Sequence, residues 1–460
     1  LVPRVLMGIL AVVDTFLVYK IADARYNRKV AFISSTLFAV LPATWFLRRI
    51  ILDSIALPFI LLSILFAIYY AKSRVGNDVN FSGIPKNFLL ILPSGIFLGL
   101  AIFVKMPIFT LIPLVVFILL QKNNTESENG TRPKTRHTDI RALAVWFIPV
   151  VLFPMIWPAY AVSIGQFADW MDGVIWQANR ADRPFAPEIK TIFLRMDPVI
   201  IAVGAAGLVY AILKRDYFIL LWAFPYMIFM YFVNWVYFYH MIPVIAVLAI
   251  GGTLFLNDMI RKIPYKFPSK IIMAVVFGGI IISGVINSTL LISQHLNDSN
   301  FKLAAFVTKN LPYKKEGANN DTAKVTLIAP NGAFILYWIP SYVFNKNFDF
   351  KWFEGRRNYV GVPIDTANYL MIIDWQMRKL FSGNSSKEHI KYVSHLYNNS
   401  GLIGVFYNNN TSFPDIKKYP YTNIRDDVTG DNLNFRGIQW SDRIEVKRNY
   451  SDNLIRDVNK

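Results

Sequence analysis

The chain has 460 residues, 54% of them hydrophobic and 15% aromatic, with only 17% charged and a formal net charge of +18. That is too apolar for a water-soluble protein of this length, so a lipid bilayer has to solvate much of its surface. Cysteine is absent, which excludes a disulfide framework and a thiol nucleophile.

Crossing about 30 Å of hydrocarbon takes roughly 20 residues of helix. In chain order, stretches without charge and near that length cover residues 5–19 (apart from Asp14), 30–47, 54–71, 87–104, 106–121, 142–168, 198–213, 217–257 and 271–297. Residues 217–257 are long enough for two passes around a break at "NWVYFYHMIP". The pattern predicts about ten spanning helices in an α-helical, polytopic membrane region.

Lysines and arginines crowd alternate connections, at Lys20 to Lys29, Lys72 to Lys86, Lys122 to Arg141, Lys214 and Arg215, and Arg261 to Lys270. The positive-inside rule makes these connections cytoplasmic. Residue 1 and everything after about residue 294 are then expected outside the cell membrane, and a phosphate-binding surface for nucleic acid is not expected. Asn-x-Ser/Thr triplets occur on both sides of this assignment, Asn123 and Asn398 among them, so they reflect composition more than topology. The first helix would enter the membrane from outside with no signal peptide before it, so at least one further helix is expected upstream.

Within the membrane region, residues 165–197 differ from their surroundings. Trp170, Met171, Val174, Ile175 and Trp176 alternate with Asp169, Asp172 and Arg180, an amphipathic pattern suited to a helix lying on the outer surface. After residue 293 the pattern changes again. "KVTLIA", "LMIIDW" and "GLIGVFY" read as strands, "SKEHIKYVSHLYNN" as a helix and "GAFILYWIPSYVF" as a helix or a helix with an extended piece. The expected organisation is a membrane region over 1–293 and a small extracytoplasmic α/β domain with a partly parallel sheet over 294–460. No glycine-rich phosphate loop follows these strands, and no zinc-ligand spacing or nucleophile elbow occurs.

The residues able to carry chemistry gather in the connections assigned to the outer face. "FLRRIILDS" sets Arg48, Arg49 and Asp53 between two apolar runs. Arg49 and Asp53 are four apart, the spacing of an ion pair on a helix. The bland account is a pair of anchors at a helix end. The chemical account is an arginine fork for phosphate and a carboxylate that orients a hydroxyl, accepts a proton or coordinates a cation. Lys105, in "LAIFVKMPIF", is a lone cation in a short turn, and His240, in "FYHMIP", starts a helix beside Tyr239. Asp14 lies inside the first helix and reads as structural, paired with an unseen neighbour or with Lys20. These polar groups point to a site at the membrane surface for an anionic, lipid-linked substrate.

The order "RVLMGILAVVDTFLVYKIADARYNRKVAFISSTLFAVLPATWFLRRIILDSIALPFILLSILFAIYY", "GIFLGLAIFVKMPIFTLIPL" and "FYHMIPVIAVLAIGG" resembles the GT-C glycosyltransferases of the protein O-mannosyltransferase and aminoarabinose transferase type, glycosyltransferase family 39 and its relatives. The resemblance implies transfer of a sugar from a polyprenyl-phosphate donor to a protein or a lipid or glycan acceptor outside the membrane, with inversion at the sugar. It implies a general base in an outer loop preceding Leu1, with Asp53 as a supporting acid near acceptor or metal. Arg48, Arg49, Lys105 and Arg180 then hold donor phosphate, with Tyr239 and His240 as further substrate contacts. No cofactor is required by the sequence, and a divalent metal ion is a candidate at Asp53. A transporter or lipid flippase would instead need ionisable groups near mid-membrane and internal repeats, and the sequence offers only Asp14. A receptor or scaffold reading is disfavoured by polar groups gathered at one face.

Overall fold

The computed structural model describes residues 2–42, 44, 47, 51–73, 88–121, 136–178, 198–233, 238–262, 269–293, 298–311, 326–329, 349–352, 368–373, 396–407 and 443–449. The chain divides into two compact units, Leu1–Leu291 and Ile292–Lys460.

The first unit is helical. It opens with α1 (Val2–Arg25), α2 (Arg28–Val40), α3 (Leu52–Ser73) and α4 (Phe88–Val104), continues through a 3₁₀ turn (Met106–Leu111) into α5 (Ile112–Leu120), then α6 (Arg136–Leu152), α7 (Ile156–Ser163) and α8 (Phe167–Ala178). It closes with α9 (Pro198–Lys214), α10 (Tyr217–Val233), a second 3₁₀ turn (Phe238–Met241), α11 (Ile242–Arg261) and α12 (Ser269–Ser293). Among the described residues three helices, Val5–Arg25, Leu52–Ser73 and Tyr239–Arg261, are long and apolar enough to cross a membrane, and five shorter apolar helices accompany them. Apolar side chains fill the interior and also cover much of the surface. Val5, Ile9, Val12 and Phe16 of α1 are exposed, whereas Asp14 of the same helix is 1% exposed, the pattern of a helix facing lipid on one side.

Two expected spans change shape at proline. The second was expected to run to residue 47, but α2 ends at Val40 with Leu41 extended at φ −69°, ψ 136°. Pro42 follows, and a residue before proline is driven out of the helical region. The long span over 142–168 is broken instead into α6 and α7, bent by 42°. Pro154 sits in the break with no N–H to continue the ladder.

Helices meet where glycine lets backbones approach. A side chain at Gly207 of α9 would collide with the backbone of Gly251 and Gly252 in α11, and one at Gly204 would lie 2.9 Å from Leu248 Cβ. Gly95 and Gly99 of α4 likewise face the carbonyls of Trp146 and Pro149 in α6. This small-residue crossing is how helices gain contact when lipid supplies no hydrophobic drive between them. Between α3 and α4 the hydroxyl of Ser63 donates to the Ser94 carbonyl at 2.8 Å, and that of Ser94 to the Ser63 carbonyl at 2.9 Å.

Helix ends are tied as well. Tyr26, just past α1, donates its hydroxyl to Asp216 Oδ2 at 2.7 Å, and Asp216 Oδ1 accepts from the Phe218 amide at 3.2 Å, capping α10. Burial, then the charge of Asp216, hold the Tyr26 phenol well above its usual range, so it remains a neutral donor. Arg25 Nη1 donates to Gln121 Oε1 at 3.1 Å, joining the ends of α1 and α5.

Among its described residues the second unit has α13 (Asp298–Asn310) and five strands: β1 (Thr326–Ala329), β2 (Asp349–Trp352), β3 (Tyr369–Ile373), β4 (Ser400–Tyr407) and β5 (Arg443–Asn449). The sheet order is β2-β1-β3-β5-β4. β1 pairs parallel with β2 and β3, while β5 runs antiparallel between β3 and β4, with Met371 opposite Val446 and Phe406 opposite Ile444. β2 and β5 were not anticipated. "RIEVKRN" alternates apolar and charged residues, and its charges hid a strand that the sheet holds on both edges. The expected segment "GAFILYWIPSYVF", and most of "SKEHIKYVSHLYNN", lie outside the described residues.

Candidate functional site

Asp53 owes its position to the start of α3. The Ile51 carbonyl accepts from the Ser54 and Ile55 amides at 3.1 and 3.2 Å, so the helix begins at Leu52 and Asp53 falls in its first turn, where the helix dipole favours a negative charge. Lys105 owes its position to the end of α4. Its amide still bonds to the Ala101 carbonyl at 2.9 Å, but its backbone is extended at φ −150°, ψ 106°, as Pro107 opens the following 3₁₀ turn. The helix therefore stops with Lys105 turned inward.

The two meet. Lys105 Nζ donates to Asp53 Oδ1, with side chains only 11% and 3% exposed. Taking an ammonium and a carboxylate this far from water is costly unless they pair, so each partner fixes the other. The Lys105 ammonium also lies 5.9 Å from the centre of the Tyr239 ring, within reach of a cation–π attraction. The Tyr239 and His240 rings meet edge to face at 4.6 Å and 88°. Three of the sequence-selected residues thus converge, Asp53, Lys105 and Tyr239, with His240 adjoining.

Among the described residues the partner of Asp53 is Lys105, and the Arg49 half of the expected pair falls outside them. Arg48, Arg49 and Arg180 lie outside the described residues. Asp14 does not pair with Lys20, whose ammonium stands 5.4 Å over the Phe16 ring. Both Asp14 carboxyl oxygens are buried with no hydrogen-bond partner among the described residues, at the middle of α1. The amphipathic stretch forms α8, and its apolar side chains Phe167, Met171 and Ile175 are exposed. Among the described residues no three His, Cys, Asp or Glu side chains gather as a metal group. A divalent cation at Asp53 would share the carboxylate with the Lys105 ammonium, which occupies Oδ1, and the two like charges would repel.

Two residues beside the site were not singled out in the sequence. Tyr226 donates its hydroxyl to the His240 carbonyl at 2.6 Å, and Trp222 its indole N–H to the Pro243 carbonyl at 3.0 Å. Both sit in "YFILLWAFPYMIFMYFV", where an aromatic that reaches inward looks like one that faces lipid. Their spacing of four, one face of a helix, was the available clue.

Residues 3–161, a stretch that includes both Asp53 and Lys105, match the family model described as dolichyl-phosphate-mannose-protein mannosyltransferase. No curated protein matches the chain. Among solved structures it is similar to the Archaeoglobus fulgidus oligosaccharyltransferase in complex with Zn and sulfate, with 14% identity over 88% of this chain and 60% of that one and a TM-score of 0.45. It is also similar to the Archaeoglobus fulgidus oligosaccharyltransferase AglB in complex with an inhibitory peptide and a dolichol-phosphate, with 12% identity over 90% of this chain and 64% of that one and a TM-score of 0.47. The apo form gives 13% identity over the same shares, with a TM-score of 0.48. The chain therefore spans less than two thirds of the length of the structures it resembles.

Proposed function

We propose that this protein transfers a sugar from a polyprenyl-phosphate donor to a hydroxyl of a protein or a lipid or glycan acceptor at the extracytoplasmic face of the cell membrane. The observation that carries this reading is the buried Asp53–Lys105 pair, supported by the mannosyltransferase family match that spans both residues. In the transfer, the bond between sugar C1 and the phosphate oxygen breaks, a bond from the acceptor oxygen to C1 forms, and the acceptor proton passes to a base. Charge builds on the departing phosphate, and a cation already in place there lowers the barrier without reorganising. Lys105 is that cation, and Arg49 with Arg48 and Arg180 are proposed to complete the phosphate contacts. Asp53 holds the Lys105 ammonium in place and orients the acceptor, so the base is another group. The ten-span bundle and an outer α/β domain over 294–460 are part of the same proposal, the domain serving acceptor recognition or the rim of the site.

The test uses membranes containing the full protein and radiolabelled polyprenyl-phosphate mannose with peptide and glycolipid acceptors. Lys105→Ala, Asp53→Asn and Arg49→Ala are each expected to lower transfer by about a hundredfold or more, the size of losing one preorganised charge partner, with insertion unchanged. Wild-type rates in Lys105→Ala and Asp53→Asn would remove the assignment.

A further inference from the structure

We infer that Tyr226 is a positioning residue for the Asp53–Lys105 site, acting with Trp222 to hold the turn that presents Tyr239 and His240 to it; this rests on the transferase reading above. Both side chains are fully buried, at 0% exposure. They stand one helical turn apart on α10 and donate to the carbonyls of His240 and Pro243. The backbone between those carbonyls changes from 3₁₀ to α-helix, with Pro243 in the first turn of α11. Pro243 has no N–H to give to the ladder, so this junction is short of donors of its own. Two polar hydrogens from a neighbouring helix fasten it.

Packing alone does not account for these residues. Phenylalanine at 226 would fill nearly the same volume, so what tyrosine adds there is one directed hydrogen bond, and Trp222 adds a second through its indole N–H. The Tyr226 hydroxyl is bonded to the turn itself, and that turn carries the Tyr239 ring that faces the Lys105 ammonium. The Tyr239 ring stands at 5.9 Å from the Lys105 ammonium, near the outer reach of a cation–π contact. A small slackening of the turn would therefore release the ring from the ammonium. The consequence is looser seating of the donor phosphate, with the bond-breaking step itself little changed.

The experiment uses the full protein in lipid nanodiscs and reads two quantities, deuterium exchange of the peptide covering residues 238–244 and the donor KM and kcat with polyprenyl-phosphate mannose. Tyr226→Phe is expected to raise both the exchange rate of that peptide and the donor KM about five- to tenfold, the size of one lost neutral hydrogen bond. The kcat should stay within about twofold, the mark of lost ground-state binding. Trp222→Phe should move both in the same direction, and it is read in the same way if Tyr226→Phe fails to insert. Exchange and KM at wild-type values in both variants would overturn the inference while leaving the transferase reading intact. If the wild type transfers no sugar, the transferase reading falls, and the exchange measurement alone decides whether the turn is fastened as described.

Discussion

Lys105 shows how a single side chain acquires meaning from its partner. In "LAIFVKMPIF" it reads as an anchor or as a functional cation, and the ion pair with Asp53, 52 residues earlier, sets aside the solvated anchor. An anchor would keep its ammonium in water, whereas this one is 11% exposed against a carboxylate at 3%. Asp14 is the opposite case. Its carboxyl is buried in mid-helix with neither oxygen bonded among the described residues, and a buried polar group left without a partner costs about 1–3 kcal/mol. Asp14→Leu is therefore expected to stabilise the protein by about that amount in thermal unfolding in detergent. A drop in melting temperature would reveal a partner beyond the described residues. Neither Asp14 nor Tyr226 could have been sorted from the sequence, since a helix places every third or fourth residue inward and the sequence does not mark which face that is.

At the scale of elements, the helices were legible where apolar runs set their length, and proline decided where they stop or bend. Pro42 and Pro154 were both visible in the chain, and reading them as breaks rather than as passengers in an apolar run would have shortened α2 and divided α6 from α7. Glycine is harder to read, because it has one meaning at a helix crossing and another facing lipid. Gly207 meets the backbone of α11, while Gly278 of α12 has nothing within 4 Å of where a side chain would start. Gly207→Ala has to push α9 and α11 apart and is expected to cost about 1–3 kcal/mol as overpacking. Gly278→Ala should be neutral or gain up to about 1 kcal/mol from helix propensity. Parallel thermal melts of the two variants check this, and equal shifts would mean that the α9–α11 crossing is not tight.

For the whole molecule, the proposed orientation puts residues 294–460 outside the cell and the basic connections inside. The absence of native cysteine makes this directly measurable. A single cysteine replacing exposed Lys309 in α13 should react with a membrane-impermeant maleimide on intact cells, and one replacing exposed Lys214 at the end of α9 should react only after lysis. The reverse pattern would invert the topology and place the Asp53–Lys105 pair on the cytoplasmic side. By itself the sequence determined the solvent of this protein, the approximate course of its helices, and a short set of polar residues at their ends, because hydrophobic length and charge asymmetry are local properties of the chain. Only the tertiary structure decided that Asp53 takes Lys105 as its partner, that Tyr239 joins them, and that Tyr226 and Trp222 hold the turn beside them. Such contacts join helices far apart in the chain, and a bilayer allows many apolar helices to pack without revealing in their sequence which faces will meet.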